Sequence, residues 1–474
     1  MIASSSRHVP FFWGFFQPME KKYIDFISDE LGLNSVHVSK RGQPNIFELV
    51  SRNAKFDNNH LLPLGWEEEF IEKYFREFLF NYDRYSISFE RNVISAFEGD
   101  SNYDYLCAIN YYLSYFYNLI VSKGITQVVF NNPPHQGMDL VIYYLASKIE
   151  LDINILYQTI LPNRFFHFKS VEDFGCYRKF VTFNPSEAHS FERKFEKELF
   201  YMEGKESVKY LNKITNKASL LFSKSKKIAR KLTSKEDLEK LLAHRKKKWN
   251  GATAFANESK FYRNNGESFE SIDVNLEKKF VYFPLHYQPE LTTSYLGGLY
   301  TDQLLAIENL ARVLPDDWLI YVKENPKQGH YMRGKAFYER LGKIKTAVLV
   351  SKSVSTYELL KKSQVVATIS GTVGWEALTG GKPIIVFGMA WYRDFSGVYK
   401  FSHSLDLQDI SKQHVDYATL QNQVNDFSKS CNQGVVSSAY RKLYKNYELL
   451  DNHKFMLHFF DELTKVNEDN KKVR

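Results

Sequence analysis

Short apolar runs alternate with segments of helical periodicity through the second half of this 474-residue chain. The runs are rich in Val, Ile, Tyr and Phe, as strands buried on both faces of a sheet are. They lie at residues 279–284, 318–323, 347–351, 365–369 and 383–387. Apolar side chains recur at helical spacing at residues 302–314, 331–341, 356–362 and 373–378. We therefore predict a five-stranded, doubly wound α/β domain.

The first third of the chain alternates in the same way. Strands are predicted at residues 35–39, 85–89, 127–130 and 153–157. Helices are predicted at residues 18–31, 67–80, 103–123 and 140–149. Such spacings are typical of βαβ units in a mainly parallel sheet, so we predict a second Rossmann-like domain.

The sequence between these two patterns has a different character. It is lysine-rich and helix-forming at residues 191–250 and rich in Asn, Ser and Gly up to residue 271. A further amphipathic helix is predicted at residues 440–466. We predict four parts, namely an α/β domain at 1–190, a basic helical insertion and linker at 191–271, an α/β domain at 272–430, and a helical tail at 431–474 that packs back on the first domain.

The basic residues of the chain are concentrated in one segment. Residues 205–248 contain 15 Lys and Arg against 4 Asp and Glu, an excess larger than the net charge of +8 for the whole chain. This segment is either a solvated helical face or a surface that docks on an anionic membrane. No nucleic-acid-binding motif accompanies the charge, so a nucleic-acid partner is not expected.

Other features of the composition indicate a cytoplasmic protein. No run of about 18 apolar residues is present, so no membrane span is predicted. The first residues do not form a secretion signal, and the three cysteines, at positions 107, 176 and 431, lack metal-ligand spacing. No Asp-x-Asp motif is present, and we expect neither a metal nor any other cofactor.

The strand–turn–helix at residues 365–378 is the best candidate for a binding site. Ser370, Gly371 and Thr372 form the turn, where free backbone N–H groups and the positive end of the helix dipole favour a phosphate. Glu376 lies one helical turn beyond Thr372, where a carboxylate suits the hydroxyls of a ribose or another sugar. The alternative is an ordinary strand–turn–helix in which Glu376 stabilises the helix dipole.

Three further loops follow predicted strands of the same domain and share its carboxyl edge. The first contains His286 and Glu290, and the second contains Lys323 and Asn325. These side chains are candidates for binding a donor phosphate or sugar, and surface or structural roles are the alternatives. Trp391 and Tyr392 in the third loop either stack on a ligand ring or fill the core.

In the first half, the loop at residues 131–139 is the best candidate for a catalytic role. The loop follows a buried strand and contains two prolines, His135 and Asp139. Either side chain is a candidate general base towards an acceptor hydroxyl. The alternatives are a helix cap for Asp139 and a structural role for His135.

The second half resembles the bacterial capsular polysaccharide biosynthesis proteins, a group that includes the capsule Kdo transferase. The resemblance rests on Ile369-Ser-Gly-Thr-Val-Gly-Trp-Glu-Ala-Leu and Gly381-Lys-Pro-Ile-Ile-Val-Phe-Gly, with Ala-Trp-Tyr after them. Tyr282-Phe-Pro-Leu-His-Tyr-Gln-Pro-Glu and Val322-Lys-Glu-Asn-Pro also resemble blocks of this family. The resemblance covers residues 281–392.

The resemblance implies a GT-B fold with two Rossmann-like domains facing a cleft, and a metal-independent glycosyltransferase. In related enzymes that use CMP-activated ulosonic acids, a Ser/Thr turn and a His-Pro pair hold the nucleotide. The turn corresponds to Ser370 and Thr372, whereas Asn325-Pro326 stands where the His-Pro pair would be. The donor nucleotide therefore stays open between CMP, UDP and GDP.

We predict that the chain transfers a sugar from a nucleotide-sugar donor to a growing or lipid-linked capsular polysaccharide at the inner membrane surface. The first domain would bind the acceptor and the second the donor. In this prediction His286 and Lys323 assist the departing phosphate. Two other functions remain alternatives: a nucleotide-sugar 2-epimerase, which needs no acceptor, and a non-catalytic subunit that binds polysaccharide.

Overall fold

The computed structural model of the chain contains two six-stranded sheets. It describes residues 8–38, 60–87, 102–135, 137–193, 271, 274–288, 290–294, 296–325, 328, 335–444 and 447–473. The strands are β1 (Pro10–Trp13), β2 (Val36–His37), β3 (Gln127–Phe130), β4 (Asp152–Gln158), β5 (Arg164–Phe168), β6 (Phe280–Pro284), β7 (Leu319–Lys323), β8 (Ala347–Val350), β9 (Val365–Thr368), β10 (Ile384–Val386), β11 (Val398–Lys400) and β12 (Asn432–Gln433).

Helices connect most of these strands and cover the sheets. They are α1 (Pro18–Glu30), α2 (Trp66–Ile87), α3 (Asn102–Lys123), α4 (Gly137–Lys148), α5 (Leu291–Ser294), α6 (Gln303–Arg312), α7 (Lys335–Lys343), α8 (Thr356–Lys362), α9 (Thr372–Thr379), α10 (Leu407–Lys412), α11 (Tyr417–Lys429) and α12 (Leu449–Val473). Short 3-10 turns lie at Val171–Asp173, Tyr177–Lys179, Gly298–Thr301 and Ser438–Leu443.

The first sheet has the strand order β12-β5-β4-β3-β1-β2. Strands β2, β1, β3 and β4 are parallel, β5 is antiparallel to β4, and β12 is antiparallel to β5. The strand predicted at residues 85–89 is wrong as far as the structure describes it, because α2 continues to Ile87. Once a helix has been nucleated, each further residue adds a hydrogen bond, which outweighs the local preference of Tyr and Ile for strands.

The second sheet is parallel throughout, with the order β11-β10-β9-β6-β7-β8. It contains a sixth strand, β11, where five were predicted. This strand has only three residues and lies at the sheet edge, so its half-exposed sequence lacks the apolar run that identifies a central strand. The predicted fold class, two doubly wound Rossmann-like α/β domains, is confirmed.

Each sheet has a point at which the chain changes its direction of travel across the strands. In the first sheet the chain passes from β1 to β2 on one side and to β3 on the other. In the second, β7 and β8 lie on one side of β6, and β9 and β10 on the other. Ligands of open α/β sheets bind outside the carboxyl ends of the strands at such points. The loops after β1, β3, β6 and β9 are therefore the expected positions of a ligand-binding site.

The end of the chain returns to the first domain. Strand β12 pairs with β5, and α12 packs against α1. The helix predicted to begin at residue 440 begins at Leu449, after the 3-10 turn. The carboxylate of Glu20 in α1 accepts a hydrogen bond from the Ser438 backbone N–H at 3.1 Å, which holds this turn near the carboxyl edge of the first sheet.

The two domains are in direct contact. The Phe166 ring of β5 lies 6.5 Å from that of Trp391 and 5.2 Å from that of Phe427, and both partners belong to the second half of the chain. A Cβ on Gly175 would lie 2.8 Å from the Met389 side chain. Residues 205–248, on which the prediction of membrane docking rests, lie outside the described residues. None of the described helices is long and apolar enough to cross a membrane.

A buried polar network lies on one face of the first sheet. The His167 ring of β5 is fully buried, and its Nε2 lies 2.9 Å from Oδ1 of Asn154 on β4. The same Asn154 oxygen accepts a hydrogen bond from the Lys169 amine at 2.8 Å. Burial, together with the smaller effect of the neighbouring Lys169 charge, lowers the pKa of His167 to about 3.

This pKa predicts that stability falls on mild acidification. Between pH 6.5 and 3 the unfolded chain binds a proton at His167 that the native state does not bind. The free energy of unfolding is therefore highest above this pH range and decreases as the pH falls through it. From pH 6.5 to 5 we expect the free energy of unfolding to fall by about 2 kcal/mol more in the wild type than in His167→Gln. Urea unfolding at the two pH values measures this difference. The exposed His414→Gln variant should follow the wild type, and parallel losses in wild type and His167→Gln would contradict the assignment.

Candidate functional site

The turn at residues 370–372 joins β9 to α9 at the switch point of the second sheet. Gly371 is the N-cap of α9 and, as a glycine, has no side chain with which to cap this helix. The Gly371 backbone N–H donates to Oγ1 of Thr368 at 3.3 Å. That same oxygen lies 2.8 Å from Nε2 of His286, in the loop after β6. The structure therefore joins the turn to the loop that contains His286 through one buried hydroxyl.

Two glycines permit the close packing of this turn. A Cβ on Gly371 would lie 2.9 Å from both Nε2 and Cε1 of His286, so a larger residue would push the imidazole away. The Tyr392 hydroxyl donates to the Gly371 carbonyl. A Cβ on Gly374 would lie 2.3 Å from that hydroxyl oxygen. The Gly371 peptide is consequently held at its N–H by Thr368 and at its carbonyl by Tyr392.

A network of glutamines fixes the loop after β6. The His286 backbone N–H donates to Oε1 of Gln303 at 2.8 Å. Nε2 of Gln303 donates to Oε1 of Gln288 at 2.9 Å, and the Gln288 backbone N–H donates to Oε1 of Gln328 at 2.8 Å. All three glutamine side chains are buried. Their bonds stabilise one conformation of the loop, so His286 is held in place before any ligand binds.

The loop after β7 is stabilised by its own side chains. The buried Lys323 amine donates to the Val354 carbonyl at 2.5 Å and to Oγ1 of Thr356 at 2.9 Å, which ties β7 to the connection between β8 and α8. The Asn325 backbone N–H donates to Oε1 of the buried Glu324 at 2.8 Å. Lys323 and Asn325 thus lie on the predicted edge of the sheet, and their donor-binding roles stay predictions.

Glu376 lies inside the protein, beneath the turn. Its side chain is 3% exposed, and its charge contributes to a rise in the pKa of Tyr282 on β6 that is caused mainly by burial. A buried carboxylate next to a phenol is arranged to accept hydrogen bonds. Sugar-hydroxyl binding by Glu376 stays a prediction, because contact with a sugar requires the ligand to reach this depth.

Glu290 brings the tail of the chain into the site. Burial, together with the negative charge of Glu290, raises the pKa of Tyr440 to about 12. Tyr440 belongs to the 3-10 turn whose Ser438 is bound by Glu20 of the first domain. Glu290, a candidate donor-binding residue of the second domain, therefore lies close to a segment anchored on the first.

The loop after β3 forms the corresponding edge of the first sheet. Nδ2 of Asn131 donates to the Gly14 carbonyl at 2.5 Å, which joins this loop to the one after β1. Gly14 has a φ of +91°, and a Cβ there would lie 2.1 Å from Oδ1 of Asn131. Oδ1 of Asn131 in turn accepts a hydrogen bond from Asn132 at 3.1 Å. The switch point of the first sheet is therefore closed by contacts between loops, as that of the second sheet is.

His135 and Asp139 are brought together at this edge. Nδ1 of His135 lies 4.0 Å from Oδ2 of Asp139, and the two side chains are 10% and 17% exposed. Nδ1 of His135 also lies 2.7 Å from the Pro133 carbonyl oxygen. Oδ1 of Asp139 accepts a hydrogen bond from the Trp13 indole at 2.5 Å. Both residues were predicted as candidates from the sequence, which carried no sign of the contact between Asp139 and Trp13, more than a hundred positions away.

Trp391 and Tyr392 fill the core rather than stack on a ligand. Tyr392 is fully buried and Trp391 is 8% exposed. The Trp391 ring stacks on that of Phe427 at 4.9 Å and lies 4.9 Å from that of Trp375. The ligand-stacking alternative is therefore wrong for the structure as described, because neither ring presents a face to solvent.

Sequence reasoning missed several residues that shape the site: Trp13, Gln288, Gln303, Glu324, Gln328, Thr368 and Gly374. Thr368 could have been noticed, since it is a polar residue at the end of an otherwise apolar strand. The three glutamines carry no such signal, because their partners are distant in sequence. Within the part of the chain that the structure describes, no cluster of His, Cys, Asp and Glu could hold a metal ion.

A family of known proteins matches the part of the chain that contains the turn at residues 370–372. Residues 292–423, about a quarter of the chain, match the family described as capsule polysaccharide biosynthesis protein. The resemblance to this family is confirmed. The matched segment contains the turn at residues 370–372, together with Lys323, Asn325 and Glu376. No protein in a curated set of sequences matches the chain.

Three of the solved structures that align with this chain do so at low identity and low TM-score. The beta Kdo 2,7 transferase KpsC of Thermosulfurimonas dismutans has 12% identity, with 72% of this chain and 88% of that chain covered and a TM-score of 0.28. The UDP-GlcNAc 2-epimerase of Methanocaldococcus jannaschii has 12% identity, 92% and 98% coverage and a TM-score of 0.23. The wall teichoic acid polymerase TagF has 11% identity, 97% and 90% coverage and a TM-score of 0.19. Alignments this loose carry no functional information.

The packing of the turn predicts a coupled pair of substitutions. Gly374→Ala should lower the free energy of unfolding by about 1–3 kcal/mol, because its Cβ overlaps the Tyr392 hydroxyl. Tyr392→Phe should cost about 1 kcal/mol through the lost bond to Gly371. The double variant should be more stable than the sum of the single losses, since the overlapping oxygen is gone. Strictly additive losses in urea unfolding would contradict this packing.

Proposed function

We propose that this chain is a glycosyltransferase that moves a sugar from a nucleotide-sugar donor to a growing or lipid-linked capsular polysaccharide. One observation carries the proposal. The segment that matches the capsule family contains the β9–α9 turn, and this turn lies at the switch point of a parallel sheet, where such folds bind ligands. The family description indicates that the product is a polysaccharide, and the turn is a suitable binding site for the donor.

The turn would bind the donor phosphate. Backbone N–H groups at the start of α9, together with the hydroxyls of Ser370 and Thr372, suit phosphate oxygens. No acidic residue occupies the first turn of this helix, so nothing there repels an anion. Gly371 is held at both its N–H and its carbonyl, which would keep the turn in one shape as the ligand arrives.

The surrounding loops would recognise the rest of the donor. Glu376 and Glu290 are proposed to bind sugar or ribose hydroxyls, and Asn325 the nucleotide. His286 lies beside the turn, with Nε2 bonded to Thr368, and is proposed to donate to the departing phosphate, which the Lys323 charge would also assist. The donor nucleotide is CMP, UDP or GDP in this proposal, and no divalent metal takes part.

The acceptor would approach from the first domain. His135 and Asp139 lie together at the switch point of the first sheet, where one of them would take the proton of the acceptor hydroxyl. Docking through residues 205–248 would bring the enzyme to a lipid-linked acceptor on the inner face of the membrane. This part of the proposal rests on the charge of the segment alone.

Release of free nucleotide in the presence of acceptor tests the activity. We expect one of CMP-, UDP- or GDP-sugars to release its nucleotide when a capsular oligosaccharide is added, with the sugar appearing on that oligosaccharide by mass spectrometry. Ser370→Ala should reduce the release, because it removes one of the groups proposed to bind phosphate. Release or epimerisation of the donor without an acceptor would instead indicate the 2-epimerase alternative. Binding of oligosaccharide with no turnover of any donor would indicate a non-catalytic subunit.

The role of Glu376 has its own test. Glu376→Ala should weaken binding of the responding nucleotide sugar by about 1–3 kcal/mol, since donor hydroxyls would lose their buried acceptor. Isothermal titration calorimetry measures the change. The exposed Glu358→Ala, on the preceding helix α8, serves as the control and should bind as the wild type does. Unchanged affinity in Glu376→Ala would place this residue in a structural role only.

A further inference from the structure

The Trp13 indole and Asp139 meet at the point where two neighbouring strands of the first sheet end. Trp13 is the last residue of β1, and Asp139 lies in the first turn of α4, which follows β3. Nε1 of Trp13 lies 2.5 Å from Oδ1 of Asp139. The indole N–H can only donate, so Asp139 accepts this bond. A helix-capping role for Asp139 does not account for a contact with a side chain from another strand.

The indole is held firmly in this position. Trp13 is 2% exposed, and its ring packs edge-on against Phe11, Phe16 and Phe116 at centroid distances of 5.9, 5.5 and 5.4 Å. Rotation of the ring would require several of these aromatic contacts to break. The direction of the Asp139 carboxylate is therefore set by the packing of β1.

The bond made by His135 decides which ring nitrogen can act as a base. Nδ1 lies 2.7 Å from the Pro133 carbonyl oxygen, which can only accept a hydrogen bond. Nδ1 must therefore carry a proton, and in the neutral ring the lone pair lies on Nε2. The distance of 4.0 Å from Nδ1 to Oδ2 of Asp139 places a negative charge beside the imidazolium that forms when Nε2 is protonated.

We propose that His135 is the general base through Nε2, that Asp139 stabilises the resulting imidazolium, and that Trp13 is a positioning residue that aims Asp139. This inference rests on the proposed transferase function and assigns distinct roles to two residues that the sequence left as equal candidates. The acceptor oxygen bonds to the anomeric carbon while its proton passes to Nε2 of His135. The bond from the anomeric carbon to the donor phosphate breaks, and its electron pair leaves on the phosphate oxygen. Asp139 gives and takes no proton.

The tautomer can be measured without any activity. Nitrogen-15 NMR of the whole chain labelled at histidine, with the His135 signals assigned by their loss in His135→Gln, reports which nitrogen of the neutral ring is protonated. We expect the Nδ1–H form. A neutral ring protonated at Nε2 would overturn the assignment of Nε2 as the base, whether or not the chain transfers sugar.

Two matched tryptophan variants test the positioning role. Trp13→Phe removes the indole N–H that binds Asp139. Trp318→Phe removes an equally buried indole whose N–H has no hydrogen-bond partner among the described residues. We expect Trp13→Phe to lower kcat roughly 100-fold with little change in the donor KM, because a misdirected group costs about that much. Trp318→Phe should retain kcat.

A double-variant experiment separates positioning from a general structural effect. Once Asp139→Asn has removed the charge, Trp13→Phe should lower kcat little further, since the group it positions is gone. If the two losses multiply, or if Trp13→Phe and Trp318→Phe behave alike, the positioning role of Trp13 is wrong. If the wild type transfers no sugar from any donor, the proposed function fails, and the NMR measurement still decides the tautomer.

Discussion

The hydroxyl of Thr368 is the interaction on which the candidate site of the second domain depends. One oxygen binds the Gly371 backbone N–H and the His286 ring, and so joins the loops after β9 and β6 at the switch point of the sheet. The strand order brings these loops side by side, and the hydroxyl holds them in contact. Gly371 has to be a glycine because the imidazole occupies the space of a Cβ. A valine at position 368 would preserve the strand and lose both bonds.

In the first domain, too, hydrogen bonds join the loops at the switch point of the sheet, but different side chains make them. Its switch point is closed by the amide of Asn131 on the Gly14 carbonyl and by the Trp13 indole on Asp139. In both domains a side chain at or just after the end of a central strand binds the neighbouring loop, so the sheets fix the polar groups at their edges. The tail adds a connection between the domains, because Glu20 binds Ser438 and the nearby Tyr440 lies close to Glu290.

Much of the fold could be predicted from the sequence, because buried parallel strands consist of short runs of apolar residues. The runs at residues 279–284 and 365–369 differ from β6 and β9 by a single residue. The short edge strand β11 lacks such a run, whereas β1 and β5 were not predicted although most of their residues are apolar and buried. For the site, the Ser-Gly-Thr turn and the pair His135 and Asp139 were predicted from local patterns. Trp13 and Gln303 were not, and neither was the bond of Tyr392 to Gly371, since the partners lie apart in sequence and only the topology brings them close.

The proposed function requires the turn at residues 370–372 to bind the nucleotide part of a sugar donor. Hydrogen–deuterium exchange of the whole chain, with and without saturating CMP, UDP or GDP, tests it most directly. We expect one nucleotide to slow exchange in peptides covering residues 369–376, while exchange in peptides covering residues 131–139 stays unchanged until an acceptor is added. Protection by none of the nucleotides at residues 369–376, or protection confined to the first domain, would contradict it.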